Sequence, residues 1–255
     1  MFDVFDPSVT FANTLRAGGV FALIALHVGV LGYWSTRWLG FRAADFWSEL
    51  CVRVGAGLAI LGFGILAAGH LNGLHRAVAY ASSAAMFVGL LASWGHLVGW
   101  TRVAASEIRG AFRENWFLVL ACAGMAVLVV VCGLRAGWWV DEIEYHYAAP
   151  LLWAEHGKWV PSPYHNTNGP ALAEVLFTFP ALFKSDVAAH WMHSTCLLML
   201  AAGCAGLSRR AGGSAIGALA AVLSVPVVVN QSHVAYSDIA AGGFAIAGYV
   251  ALFCG

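Results

Sequence analysis

The chain has 255 residues, of which 60% are hydrophobic and only 10% charged, and its 13 basic residues balance 13 acidic ones. Soluble globular domains carry roughly 25% charged residues, so this composition excludes a soluble domain, a disordered chain and a secreted disulfide scaffold. Zero net charge without a basic run also argues against a nucleic-acid partner. The composition is typical of a protein that crosses a membrane several times.

Apolar segments of membrane-spanning length recur along the chain. A hydrocarbon core about 30 Å thick is crossed by roughly 20 helical residues. Residues 171–183 are apolar but too short to cross, and they contain Pro180, which favours a helix that dips into one membrane face. We predict an all-α bundle of about seven transmembrane helices, over residues 18–34, 54–70, 77–100, 116–139, 187–207, 214–230 and 239–254.

Small and polar residues inside these segments are interpreted as packing residues. Glycines that recur in the second segment permit close helix packing in lipid: Gly55, Gly57, Gly62 and Gly64. The cysteines lack the spacing of a zinc site: Cys51, Cys122, Cys132, Cys196, Cys204 and Cys254. The intramembrane histidines are expected to pack or to form interhelical hydrogen bonds: His27, His96, His190 and His193.

The basic residues predict the orientation of the bundle, because cytoplasmic loops carry an excess of Lys and Arg. If the seven helices alternate and residues 171–183 do not cross, eight of the 13 basic residues fall on one side. They lie in loops 35–53 and 101–115 and in the turn after residue 207. Loop 140–186 is then extracytoplasmic.

This loop carries most of the chain's reactive side chains. Asp141 and Glu142 follow two tryptophans typical of the membrane–water boundary, where partial desolvation makes a carboxylate a better general base. If residues 141–152 form a helix, Asp141 shares a face with Tyr145, and Glu142 shares one with His146. The alternative is a solvated helix start whose acidic residues complement the helix dipole.

The order of these motifs resembles a known family. The motifs are, in chain order, Asp141-Glu142, Tyr145-His146, Asn168-Gly169-Pro170 and Tyr236-Ser237-Asp238. It is similar to the C-superfold glycosyltransferases that use polyprenyl-phosphate sugars, such as protein mannosyltransferases, aminoarabinose transferases and rhizobial lipopolysaccharide transferases. The resemblance implies that residues 1–115 are an added transmembrane module and that residues 116–255 begin the transferase membrane domain. Relatives continue with more spans, so the chain is expected to be a fragment, which leaves its own activity open.

The resemblance also implies a reaction. A sugar would pass with inversion from a polyprenyl-phosphate donor to a hydroxyl of a lipid, glycan or protein acceptor outside a bacterial inner membrane. Asp141 matches the family's general base. No cofactor is required, although Glu142 could hold a divalent metal. The other expected substrate-binding residues are Glu142, Tyr145, His146, Lys158, His165 and Asp238.

Each assignment has an alternative. Lys158 could snorkel to the lipid headgroups, Asp238 could cap the seventh helix, and His146 could simply pack. A transporter or flippase-like protein would instead use Arg135, Glu174 and Asp238 as charges along a translocation path. A non-catalytic membrane subunit of the same fold is a third reading.

Overall fold

The computed structural model describes residues 7–43, 45–134, 146–161 and 172–254. Within these ranges the secondary structure is helical and contains no strand, which confirms the all-α prediction. The helices are α1 (Pro7–Trp38), α2 (Phe46–His70), α3 (Arg76–Ala92), α4 (Trp94–Cys132), α5 (Ala148–His156), α6 (Leu172–Leu182), α7 (Asp186–Arg210), α8 (Ala215–Leu223), α9 (Pro226–Ser232) and α10 (Asp238–Cys254).

Four of these helices are long and apolar enough to cross a membrane: α1, α2, α4 and α7. The pair α8 and α9 makes a fifth candidate, although its two halves are bent by 76°. Helices α3 and α10 fill the two remaining predicted positions, but their 17 residues each rise only roughly 26 Å. The predicted number of about seven spans is therefore not confirmed among the described residues, which support four or five.

The span predicted over residues 214–230 consists of two helices, α8 and α9, in the structure. Pro226 begins α9, where its missing N–H leaves no hydrogen bond unmade. The residue before a proline is pushed towards extended backbone, and Val225 has φ −81° and ψ 108°. The break between α8 and α9 follows directly from this proline.

The predicted loop 101–115 is helical, because α4 runs through it from Trp94. The helix is interrupted at Asn115, which has the non-helical angles φ −159° and ψ 89°. Its Oδ1 accepts a hydrogen bond from the Leu118 N–H at 3.1 Å, so Asn115 caps the second part of α4. The loop prediction was wrong because an exposed helix carries charged residues as readily as a loop does.

Helices α2 and α7 pack antiparallel through small residues. A Cβ at Gly206 would lie 2.3 Å from Ser48 Oγ, and a Cβ at Gly55 would lie 3.0 Å from Met199 Sδ. The start of α2 therefore lies beside the end of α7. Such close approach of helices in lipid depends on residues without bulky side chains.

We call the end of the bundle where α1 and α7 finish the basic end. There the Arg53 guanidinium lies 5.3 Å from the centre of the Tyr33 ring and 5.8 Å from that of Trp100. Arg209 forms a salt bridge of 2.7 Å with Glu107 of α4. The opposite end is where α2 finishes and α7 and α10 begin, at His70, Asp186 and Asp238. The cytoplasmic orientation of the basic end stays a prediction.

The core joins the two predicted parts of the chain. One cluster of buried apolar residues includes Ile24 and Leu58 from the first 115 residues, and Met192 and Val250 from the remainder. All six cysteines are free, as expected for packing residues.

The glycines of α2 give a direct test of this packing. A Cβ at Gly57 would lie 2.1 Å from the Val28 carbonyl oxygen of α1, whereas a Cβ at Gly64 would meet no atom within 4 Å among the described residues. We expect Gly57→Ala to lower the free energy of unfolding by about 1–3 kcal/mol, because α1 must move away. Gly64→Ala is the matched control and should be neutral or stabilising, since alanine favours helix. Unfolding in detergent, followed by circular dichroism, measures both. Equal effects would contradict the close contact.

Candidate functional site at the opposite end of the bundle

A buried His–Glu pair lies at the opposite end. His146 is 9% exposed and Glu174, in the first turn of α6, is 6% exposed. The Nδ1–H of His146 donates to Glu174 Oε1, with 2.5 Å between nitrogen and oxygen. A carboxylate this buried is stable only with a partner, and the imidazole supplies it. A carboxylate that orients an imidazole is also a common arrangement in catalytic sites.

Helix α6 enters the bundle with its first turn inward. Leu172 Cδ1 lies 3.1 Å from where a Cβ of Gly62 would stand, and Gly62 lies eight residues, roughly 12 Å, before the end of α2. At the other end of α6, the Leu182 carbonyl accepts a hydrogen bond of 2.5 Å from Arg76 Nε, at the start of α3. The 11-residue helix therefore packs against α2 at its start and contacts the start of α3 at its end. Whether it dips into one membrane face stays a prediction.

The connection between α9 and α10 packs against the histidine of this pair. The Tyr236 ring lies 5.2 Å from the His146 ring, centre to centre, at an angle of 43°. Tyr236 precedes Asp238, the first residue of α10, by two positions. The connection is fixed to α7, because His193 Nδ1 donates to the Val234 carbonyl at 2.5 Å.

Two histidines of α7 line the same region. His190 is 2% exposed, and its Nδ1 donates to the Gly133 carbonyl at the end of α4, at 3.0 Å. His193 is 1% exposed and its ring lies 6.0 Å from that of Phe177 on α6. Both are buried, as the packing prediction required, and their hydrogen bonds reach the C-cap of α4 and the α9–α10 connection rather than the body of another helix.

Helix α5 is held against the turn between α2 and α3. Gly157 ends α5 with φ 70°, a left-handed conformation that suits glycine, and a Cβ there would lie 2.2 Å from the His75 ring. Its carbonyl accepts from the Leu74 N–H at 3.0 Å. Trp159 Nε1 donates to the Leu66 carbonyl of α2 at 2.9 Å. Lys158 stands between these two anchors and is exposed.

A cavity of about 330 Å³ opens at this end between α5, the end of α6 and the α2–α3 turn. Its charged and polar lining consists of His75, Arg76, Glu155 and Lys184. Two cations against one carboxylate give it a positive balance. Arg76 and Lys184 were not predicted, because the first residue of α3 and the turn after α6 lie far from the acidic motif along the chain.

The predicted site residues have different outcomes. Asp141, Glu142, Tyr145 and His165 lie outside the described residues. Of the others, His146 is buried against Glu174, whereas Lys158 and Asp238 are exposed. Glu174 was predicted only as a charge of the alternative transporter. The feature that pointed to it was a carboxylate inside an otherwise apolar short helix. No group of three or more His, Cys, Asp or Glu able to hold a metal occurs within the described ranges.

Comparison with known proteins adds no family assignment. No family model, curated protein or solved structure matches the chain. The resemblance to polyprenyl-phosphate-sugar transferases therefore depends on the motifs alone, and its consequences are proposals.

Proposed function

We propose that this chain is an integral-membrane glycosyltransferase that moves a sugar from a polyprenyl-phosphate donor to an extracytoplasmic hydroxyl group. One observation carries the proposal. His146, five residues after Asp141, contacts both Glu174 of α6 and Tyr236, two residues before Asp238. The transferase needs loop 140–186 and the connection between α9 and α10 to share one cavity. The contacts of His146 with Glu174 and Tyr236 support the proposal that they do.

In the proposed reaction Asp141 takes the proton of the acceptor hydroxyl. The acceptor oxygen forms a bond to the anomeric carbon while the bond from that carbon to the phosphate oxygen breaks, and the electron pair leaves with the polyprenyl phosphate. One displacement inverts the anomeric centre. A lipid phosphate leaves readily, so the proposal requires a base but no strong general acid.

The departing phosphate needs cations. The cavity lined by Arg76 and Lys184 offers them at the same end of the bundle, near the anchored and exposed Lys158. Guanidinium and ammonium groups form charge-assisted hydrogen bonds to phosphate oxygens and stabilise the charge that develops on them. We propose that these three residues bind the donor phosphate.

The His146–Glu174 pair has a positioning role in this proposal. Its hydrogen bond ties the start of the 146–161 segment to α6 inside the bundle. The preceding residues, among them Asp141 and Glu142, are thereby connected to a fixed point. Tyr236 packs on the same imidazole and brings the connection between α9 and α10 to that point.

The transfer assay tests the proposal. The full chain is reconstituted in liposomes with synthetic polyprenyl-phosphate sugars and a mixture of lipid, glycan and peptide acceptors. We expect acceptor-dependent release of polyprenyl phosphate and a product whose anomeric configuration, read by NMR, is inverted. Hydrolysis or transfer with retained configuration would contradict the mechanism.

A transporter is the second candidate, because a buried carboxylate–imidazole pair inside a membrane bundle is also typical of proton-coupled transport. It predicts that Glu174→Gln blocks solute flux across liposomes and that Asp141→Asn does not. The transferase hypothesis predicts that Asp141→Asn slows the sugar-transfer step and that Glu174→Gln does not. Parallel flux and transfer measurements on both variants distinguish the two functions.

A further inference from the structure

A second cavity, of about 220 Å³, lies at the basic end between α1, α2 and the junction of α3 with α4. Most of its wall is apolar, as at Val28, Leu50 and Leu90. Five side chains with polar groups also line it: Tyr33, Arg53, Ser93, His96 and Trp100. It is independent of the site described above, which lies at the other end of the helices.

Two buried hydrogen-bond donors belong to residues that line this cavity. Arg53 Nε and Trp100 Nε1 are both buried and find no partner within the part of the chain that the structure describes. Buried N–H groups are almost always paired, so two unpaired donors lining one cavity indicate a missing acceptor. An anionic group carries several oxygens that can accept such hydrogen bonds.

Arg53 is held in place for such a contact. Its Nη2 pairs with Glu49, one turn earlier on α2. Its guanidinium lies over the rings of Tyr33 and Trp100, at 5.3 and 5.8 Å. Aromatic faces stabilise a cation and fix its plane. The ion pair and the two rings therefore hold the guanidinium beside the cavity.

A second guanidinium contacts two residues of the cavity wall, Tyr33 and His96. Arg37 Nη1 donates to the Tyr33 hydroxyl at 3.2 Å and lies 3.4 Å from His96 Nε2. Arg37 and Arg53 together outweigh the single carboxylate of Glu49, so the local charge is positive. The cavity thus joins a cationic rim to an apolar interior.

We propose that this cavity binds the phosphate of an anionic phospholipid, with a short part of the lipid's apolar chain inside the cavity. Phosphate oxygens satisfy Arg53 Nε and Trp100 Nε1, and the negative charge complements the two guanidinium groups. The volume is below the roughly 300–1,000 Å³ of sites that enclose a whole small molecule, so only a segment of the lipid enters. Basic pockets between transmembrane helices bind anionic headgroups in this way.

Lipid binding by the purified full chain in a mild detergent tests the proposal. Phosphatidylglycerol and phosphatidylcholine are titrated separately, and bound lipid is counted by native mass spectrometry. We expect phosphatidylglycerol to bind at least tenfold more tightly, because the choline cation repels Arg53. Arg53→Gln should weaken phosphatidylglycerol binding at least tenfold. Trp100→Phe, which keeps the aromatic ring and removes the N–H, should weaken it several-fold.

Arg113→Gln is the control, because it removes an exposed guanidinium of α4 that does not line the cavity. It should bind phosphatidylglycerol like the unchanged chain. Inorganic phosphate at millimolar concentration should not displace the lipid; displacement would show a site for free phosphate and overturn the lipid assignment. Equal binding of the two lipids would overturn it too. If Arg53→Gln does not fold by gel filtration, the Trp100→Phe result decides alone, and unchanged binding there overturns the proposal.

Discussion

Asp141→Asn is expected to lower the rate of sugar transfer by about 10²–10⁴-fold, the usual contribution of a positioned general base. The amide has nearly the same shape as the carboxylate but cannot take the acceptor proton. Donor binding should remain, because the proposed phosphate-binding cations are untouched. The initial rate of polyprenyl phosphate release at saturating donor and acceptor measures the effect.

Glu114→Gln supplies the matched control for this variant. It makes the same carboxylate-to-amide change at an exposed position of α4, immediately before Asn115 and in the part of that helix that lies at the basic end. Its transfer rate should equal that of the unchanged chain. A full transfer rate for Asp141→Asn would refute Asp141 as the base while leaving the lipid site at the basic end unaffected.

Glu174→Ala is expected to lower the free energy of unfolding by about 3–5 kcal/mol, the range for removing one partner of a buried pair. The change leaves the His146 Nδ1–H without its acceptor in a position that is 9% exposed. Glu174→Gln should cost clearly less, because the amide oxygen can still accept that hydrogen bond. Denaturant unfolding in mixed micelles measures the free energy of unfolding of the unchanged chain and of both variants.

Glu114→Ala serves as the surface comparison and should change stability by no more than about 0.5 kcal/mol. The double variant His146→Ala with Glu174→Ala completes a thermodynamic cycle. A stabilising pair makes the double variant less destabilised than the sum of the single variants. If the effects simply add, His146 and Glu174 do not stabilise each other and the positioning role is wrong.

Part of the candidate site was accessible from the sequence. His146 and Asp238 were predicted as site residues, and the structure brings Tyr236, two residues before Asp238, against His146. Glu174, the partner of His146, was not predicted, because it lies 28 positions further along the chain and the sequence does not show how deeply α6 enters the bundle. Arg76 and Lys184 were missed for the same reason: only the packing of α3, α5 and α6 makes them neighbours.

The sequence alone determined the all-helical class and the approximate positions of most apolar helices. Long apolar runs need internally satisfied backbone hydrogen bonds in lipid, and an α-helix provides them locally, so the helical segments are readable without tertiary information. A proline also marks its break locally, as at Pro226, although the predicted span overlooked it.

Tertiary structure decided which side chains meet. The close approach of Gly57 to Val28, the His146–Glu174 pair and the two unpaired donors of Arg53 and Trp100 depend on helix contacts. These contacts are fixed by how small and large side chains fit between neighbouring helices. Hydropathy shows how apolar a helix is, but it does not specify which helix packs against it.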